Sequence, residues 1–281
     1  MHITQLAIYP VKSLRGIVLD QAELTERGLA FDRRWMIVDG NGDFITQREV
    51  SALAMITVEL GEQHLTLRHE ALPDFSLALA EPKVASRTVR VFRSYCEALD
   101  EGDEVAAWLA SVPGLEVVEG LRLMRFPEAG RREVPADYLA EAEKGHVHVA
   151  FSDEYPLLIA HQASLDALNA QLEQKGEGRV PMTRFRPNVV VDGSDAPFAE
   201  RDWRTLQGPE YRLGLRKPCK RCKIVTQDQL TGIAPSVKEP LRTLVTMDTQ
   251  PGWKGAYFGQ NAVVEEGVGV VLRIGDALSL A

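Results

Sequence analysis

Cys219-Lys220-Arg221-Cys222 places two soft nucleophiles within one turn of chain. A C-x-x-C pair can be half of a zinc site, a redox dithiol, or two unrelated thiols. A structural zinc takes four ligands, and no second C-x-x-C is present. A thioredoxin-type dithiol opens a helix, whereas the following Lys-Ile-Val-Thr-Gln-Asp alternates like a strand. The third reading is a thiolate among cations, because Lys217, Lys220, Arg221 and Lys223 crowd the two sulfurs along the chain. Nearby positive charge favours the thiolate, and thiolate is the soft ligand of a redox-active metal. A buried, inert thiol is the commoner fate of an arbitrary cysteine.

Basic residues gather at turns and expected strand ends. Lys12-Ser13 follow Pro10, Arg33 and Arg34 precede an apolar run, and Arg184 and Arg186 flank Phe185 just before Pro187-Asn188. The arginine fork suits phosphate and carboxylate, and lysine beside serine adds a point charge and a hydroxyl. A single surface arginine means little; the chemistry depends on convergence, which spacing alone does not show. His146 and His148 alternate with valines, as on one face of a strand, without a third metal ligand nearby. His161 precedes an expected helix and faces a pocket or caps. Asp153 and Glu154 are adjacent, and neighbours on an extended chain point apart, which disfavours an acid–base pair. There is no G-x-G-x-x-G, no G-x-x-x-x-G-K-[ST] and no G-x-S-x-G.

The elements that must position these residues read mostly as short strands. Ile3–Val11, Gln21–Leu29, Arg33–Asp39, His64–His69 and a strand opening Thr88–Asp100 fill the first part, with a hairpin expected at Asp39-Gly40-Asn41-Gly42-Asp43. A short helix is expected over 100–112, with Val105, Trp108 and Leu109 on one face and Pro113-Gly114 as its stop. Farther on, 121–126, 146–153, 184–193, 211–219, 222–228 and 269–278 read as strands, 127–145 as a polar loop, and 258–264 sits between strands. The clearest helix is 164–176, with Ser164 as N-cap and Leu165, Leu168 and Leu172 on one face. Many strands and few helices predict a β-rich α+β fold of one or two barrels. The weakest seam lies near Val112 to Leu121.

The 281 residues suffice for one large domain or two modest ones, with 45% hydrophobic and 26% charged residues. A net charge of −8 argues against a nucleic-acid partner, though not against a local basic pocket. No run of roughly 18 apolar residues predicts a membrane span. No signal peptide is read at the N-terminus, so the expectation is a cytoplasmic protein whose three cysteines are thiols.

Several segments together resemble one family. Tyr-Pro-Val-Lys-Ser-Leu-Arg-Gly, the Gly-Leu-Ala-Phe-Asp-Arg-Arg-Trp run, Phe-Ile-Thr-Gln-Arg-Glu, Phe-Ser-Asp-Glu-Tyr-Pro, Arg-Phe-Arg-Pro-Asn and the stretch from Lys217 to Gly232 occur in the order found in MOSC-domain proteins preceded by the MOSC N-terminal β-barrel. That group contains the mitochondrial amidoxime-reducing components and their bacterial relatives. The resemblance implies an N-terminal barrel-like domain over 1–118 and a MOSC domain, a β-barrel with a few helices, over 119–281. It also implies the molybdenum cofactor, a pterin with a dithiolene and a terminal phosphate, in a cleft between them. Cys222 would supply the protein ligand to molybdenum, with Lys220 and Arg221 lining the same site and Cys219 a neighbour. Lys12, Ser13 and Arg33 would hold the phosphate or pyran end. Arg186, Asn188 and Asn261 would also meet the cofactor. The implied activity is reduction of N-hydroxylated small molecules such as amidoximes and hydroxylamines. Electrons would come from a separate ferredoxin-like or flavin protein, since three cysteines cannot hold a [2Fe–2S] cluster and still leave a molybdenum ligand. A non-redox molybdenum-cofactor or sulfur carrier is the alternative. Relatives carry small polar residues after Ser152-Asp153, where this chain has Glu154 and Tyr155.

Overall fold

The computed structural model describes residues 1–193 and 195–281. It is strand-rich, with three α-helices among the described residues: α1 (Asp103–Ala110), α2 (Gln162–Gln174) and α3 (Leu241–Thr246). The largest sheet has eight strands in the order Ser279–Leu280, Thr205–Gln207, Arg212–Lys220, Tyr257–Glu266, Leu157–His161, Val189–Asp192, His2–Ile8 and Ile17–Leu19. Only the Leu157–His161 and Val189–Asp192 strands pair in parallel, and α2 makes the crossover between them. The N-terminal strand is therefore built into a sheet otherwise drawn mainly from the second half of the chain, pairing Leu6 with Val189. A four-stranded sheet joins Trp35–Val38, Arg122–Arg125, Ser94–Asp100 and Ser86–Val91, and a three-stranded meander covers Thr57–Ala78.

The two largest of the five apolar clusters among the described residues correspond to this division. Leu14, Trp35, Ile37, Leu53, Leu67 and Leu109 belong to one. Ile3, Leu6, Leu157, Val189, Leu213 and Leu272 belong to the other. The expected apolar face of α1 is buried at Val105, Trp108 and Leu109. No helix among the described residues is long and apolar enough to cross a membrane.

Four local expectations are corrected. The strand expected to open 88–100 starts earlier and is one arm of a hairpin, Ser86–Val91 with Ser94–Asp100, that turns at Phe92 with φ 54°. The 258–264 segment does not merely sit between strands: it lies within Tyr257–Glu266, a ten-residue strand. Burial on both faces and Gly259 hid its alternation. Gly259 has φ 74°, and a Cβ there would lie 2.7 Å from the Ile159 carbonyl oxygen, so the sheet closes only with glycine. Residues 146–153 form no strand beyond a single bridge, Glu133 to His148. Finally, Ser164 does not cap α2. The preceding strand runs straight into the helix at His161, which leaves Ser164 one turn inside.

There the buried Ser164 hydroxyl donates to Glu200 Oε2 at 2.8 Å and accepts from Phe198 N–H at 2.7 Å. Burial pushes the Glu200 carboxyl up to about 7, against the Ser164 hydrogen bond. The unfolded chain loses this proton first, near 4.5, so the stability from Glu200 falls as pH rises through about 7. His161, lowered by burial, contributes with the opposite sign, losing stability as pH falls. We predict that Glu200→Gln gains thermal stability relative to the parent protein as pH is raised from about 5 to about 8. Parallel melting curves check this; a difference between the two proteins that is constant with pH would refute it.

Candidate functional site

Eight of the nine residues singled out in the sequence line one cleft: Lys12, Ser13, Arg33, Arg186, Asn188, Arg221, Cys222 and Asn261. They come from the turn after the first strand, the loop before Trp35–Val38, the turn before Val189–Asp192, the end of Arg212–Lys220 and the middle of Tyr257–Glu266. Leu158, Asn261 and Lys217 form a row across three neighbouring strands. The Asn188 side chain ties the cleft floor together: its oxygen accepts from Leu158 N–H and Arg33 Nη1, both at 3.1 Å, and its amide donates to Ala7 O at 3.2 Å. Lys220 lies outside the cleft lining; its stem packs beside Gly255.

The C-x-x-C segment leaves the sheet because its strand is irregular, with register shifts between Leu215 and Lys217 and between Pro218 and Lys220. Arg221 N–H then donates to Ala256 O at 2.8 Å. The expected strand after Cys222 is instead a 3-10 turn, Lys223–Thr226, for which Cys222 is the N-cap. The buried Val225 anchors this turn in the core, which turns the chain before a ladder can form. Cys222 is left exposed at the cleft. Of the four neighbouring cations, Arg221 reaches a sulfur, and that sulfur is Cys219 Sγ at 2.8 Å. Burial pushes the Cys219 thiol up, against Arg221. Lys217 instead pairs with Glu154 at 2.5 Å.

The cationic groups share supports. The Arg33 and Arg186 guanidinium carbons lie 4.4 Å and 4.1 Å from the Tyr9 ring centroid. Asp32 receives the Tyr9 N–H at 2.8 Å and pairs with Arg33 at 2.5 Å. Burial, with Arg33 adding to it, lowers the Arg186 guanidinium to about 10. Arg48, which the sequence reading did not single out, also lines the cleft. Its guanidinium and the Lys12 ammonium both lie over Phe44 and Phe92, at 5.1–5.8 Å. Ser13, Arg33 and Arg186 have φ of 67°, 47° and 55°. Left-handed backbone at non-glycine residues is costly and concentrates at functional sites.

Asp153 enters the same cleft, paired with Lys12. Its side chain is largely exposed, and Lys12, with Arg33 and Arg48, holds the carboxyl below the usual range against the desolvation of the cleft. The irregular 146–153 segment has its own physical cause. Lys12 Nζ takes the Phe151 carbonyl at 2.8 Å, Arg132 Nε takes that of Ala150 at 2.8 Å, and Arg132 Nη2 takes that of Ser152. Buried cations thus satisfy carbonyls that a strand would give to a neighbour. No adjacent-residue rule in the sequence signals the part played by Arg132.

Among the described residues, no group of three or more His, Cys, Asp or Glu side chains could hold a metal by itself. This includes His64 and His69, whose H-x₄-H spacing places them on one strand of the Thr57–Ala78 meander. A metal at Cys222 would need further ligands brought by an organic group. The cleft fits such a group if it is anionic. Lys12, Arg33, Arg48, Arg186 and Arg221 outnumber the lining carboxylates Asp153 and Glu154 together with Asp32, the partner of Arg33, and the buried Arg221 Nε has no partner.

Comparison with known proteins identifies the family of the chain. Residues 1–115 match the MOSC N-terminal beta barrel domain, and residues 146–279 match the MOSC domain. Mitochondrial amidoxime-reducing component 1 of Homo sapiens is 33% identical over 99% of this chain and 82% of its own length. Mitochondrial amidoxime reducing component 2 of Rattus norvegicus is 32% identical over 98% of this chain and 81% of its own. A molybdenum cofactor sulfurase of Drosophila mojavensis is 31% identical over 92% of this chain, which spans 32% of that longer protein. The chain belongs to the family of MOSC-domain proteins that carry the MOSC N-terminal β-barrel.

We predict that Arg132→Met lowers unfolding stability by about 2–4 kcal/mol, because it leaves the buried Ala150 and Ser152 carbonyls without donors. Arg132→Lys, with one charge and no fork, should restore part of that loss in urea unfolding. An Arg132→Met protein as stable as the parent would show that these contacts are dispensable.

Proposed function

We propose that this MOSC-family protein binds the molybdenum cofactor in the cleft and reduces N-hydroxylated small molecules, with electrons from a separate protein. The observation that carries this reading is the placement of the exposed Cys222 thiol in a cleft with five cations. Relatives named amidoxime-reducing components, aligned over nearly the whole chain, support the reaction class.

When bound, the cofactor supplies two-electron redox chemistry at molybdenum. The residues of this chain bind and orient. Cys222, at the start of the 3-10 turn, would offer a soft thiolate to the metal. Arg33 and Arg186, steadied by Tyr9 and Asn188, hold the phosphate together with Lys12 and Ser13. Arg221 is held by Phe185 O and Cys219 Sγ, leaving its Nε for the ligand. Asp153, kept ionised by Lys12, accepts a hydrogen bond from a substrate N–H or O–H in the cleft.

The exposure of Cys222 also suits a second reading, a carrier that holds a persulfide or passes the cofactor on. A relative named molybdenum cofactor sulfurase gives that reading its place. The two separate in one preparation from a molybdenum-replete host. The reductase reading expects stoichiometric molybdenum and pterin, and turnover of a model amidoxime with a chosen electron donor. Cys222→Ser should abolish molybdenum retention and turnover together. Full retention and full activity in that variant would remove Cys222 from the site. Parent protein lacking both metal and pterin, with a labile sulfur on Cys222, would establish the carrier.

A further inference from the structure

The cleft floor is cationic, but one edge of it is not. Glu154 lines the cleft with its carboxylate half exposed. Its partner, Lys217, comes from the sheet row beside Asn261, and the Lys217 ammonium also lies 5.0 Å from the Tyr138 ring centroid. Tyr138 packs against Trp253 with ring centroids 5.9 Å apart, and both residues are more than a third exposed. Trp253 meets Tyr257 edge-on, also at 5.9 Å. The neighbouring Ala256 carbonyl is the acceptor that holds Arg221 in place. Next to Glu154, the Tyr155 hydroxyl is buried without a partner. Four separate stretches of chain thus join the cleft carboxylate Glu154, through Lys217, to the partly exposed Tyr138 and Trp253, which lie beyond the cleft lining itself.

A carboxylate beside aromatic faces is a receptor for an organic cation. Here that receptor is filled by the chain's own Lys217. The pair is partly exposed, and such pairs are weak, so a cation arriving in the cleft can displace the ammonium. We propose that Glu154, Tyr138 and Trp253 form the specificity rim of the cleft, selecting substrates with a planar cationic group such as an N-hydroxyguanidine, and that Lys217 is a built-in competitor for that group. The inference rests on the reductase reading for the N-hydroxyl part of the substrate; the cation part rests on the rim alone. It also assigns separate tasks within the cleft. The arginine floor takes the anionic cofactor, and the rim is left for the substrate.

The sign of two substitutions tests it. The probe is benzamidine, a planar cation without an N–O bond, titrated by calorimetry into the purified full-length chain. Its neutral isostere benzamide is the comparison. Glu154→Gln should weaken benzamidine binding about fivefold by removing the carboxylate, and Lys217→Met should tighten it about fivefold by removing the competitor. Benzamide affinity should not differ between the parent and Lys217→Met. If Glu154 and Lys217 form only a structural ion pair, either substitution breaks the same pair and both move benzamidine affinity the same way or not at all, which overturns the proposal. Trp253→Leu gives a second reading that does not touch the ion pair: it too should weaken benzamidine binding, and unchanged affinity would remove the aromatic part. None of these titrations needs molybdenum or turnover. A preparation without reductase activity would therefore defeat the functional reading and leave the rim result standing.

Discussion

Mutual repulsion among Lys12, Arg33, Arg48, Arg186 and Arg221 is the constraint around which the cleft is built. Arg33 and Arg186 both lie within 4.4 Å of one ring centroid, where like charges repel by on the order of 2 kcal/mol at an effective dielectric of about 20. The fold offsets this in several ways at once. The faces of Tyr9, Phe44 and Phe92 carry four of the cationic heads. Asp32 and Asp153 supply partial neutralisation. Backbone carbonyls of Leu14, Phe151, Phe185 and Arg186 accept further donors. What remains is an excess of positive charge and strained backbone at three of the lining residues, which the protein alone does not relieve. An anionic ligand would relieve the excess charge, and this gives the cleft a thermodynamic reason to bind one.

The same constraint explains why the N-terminal strand sits in the large sheet. Lys12 and Ser13 follow the His2–Ile8 strand, and Asn188 and Arg186 precede the strand that pairs with it. Antiparallel pairing brings the end of one to the start of the other, so cations about 175 positions apart in sequence meet without a long loop. The Ala7 N–H to Asn188 O bond at 2.9 Å closes that junction. Arg48 and the Phe44–Phe92 pedestal reach the cleft from the four-stranded sheet side. The site is therefore shared by both cores, and loosening either would be felt in the spacing of the charges.

Local chemistry made part of this readable from residue order. The helical faces of Val105-Trp108-Leu109 and Leu165-Leu168-Leu172 were legible because amphipathic period and burial coincide there. Basic residues next to Pro10 and Pro187 were legible as turn residues, although their meeting in one cleft was not, since nothing in spacing reports which strands pair. The expected strands at 146–153 and 222–228 failed for one shared reason. Alternation reports which side chains are buried, but a strand also needs a partner for its carbonyls and amides. At 150–152, Lys12 and Arg132 take the carbonyls first. At 223–226 the buried Val225 and Thr226 are reached by a tight turn. Tyr257–Glu266 failed in the opposite sense, because a strand covered on both faces has little alternation to read.

These misreadings cluster at the cleft, and that clustering is itself informative. Segments 150–153, 219–226 and 257–261 all border it. In each, regular backbone pairing is altered or given up where a side chain must be aimed: Asp153 beside Lys12, Cys222 out of the sheet, and Asn261 across from Leu158 and Lys217. Elsewhere in the molecule the local pattern and the observed element agree more closely, as along His64–His69 and α1. Disagreement between pattern and element is expected where a fold yields regularity for a site. By that measure the cleft, and not the larger cavity of about 520 Å³ beside Arg27 and Trp35, is where this protein departs from its own local preferences. In that larger cavity the Arg27, Arg34 and Arg125 guanidinium groups are already engaged by protein carbonyls and carboxylates. Its three arginines face four carboxylates, Glu23, Asp32, Glu62 and Glu128, whereas the five cations of the cleft outnumber the carboxylates around them.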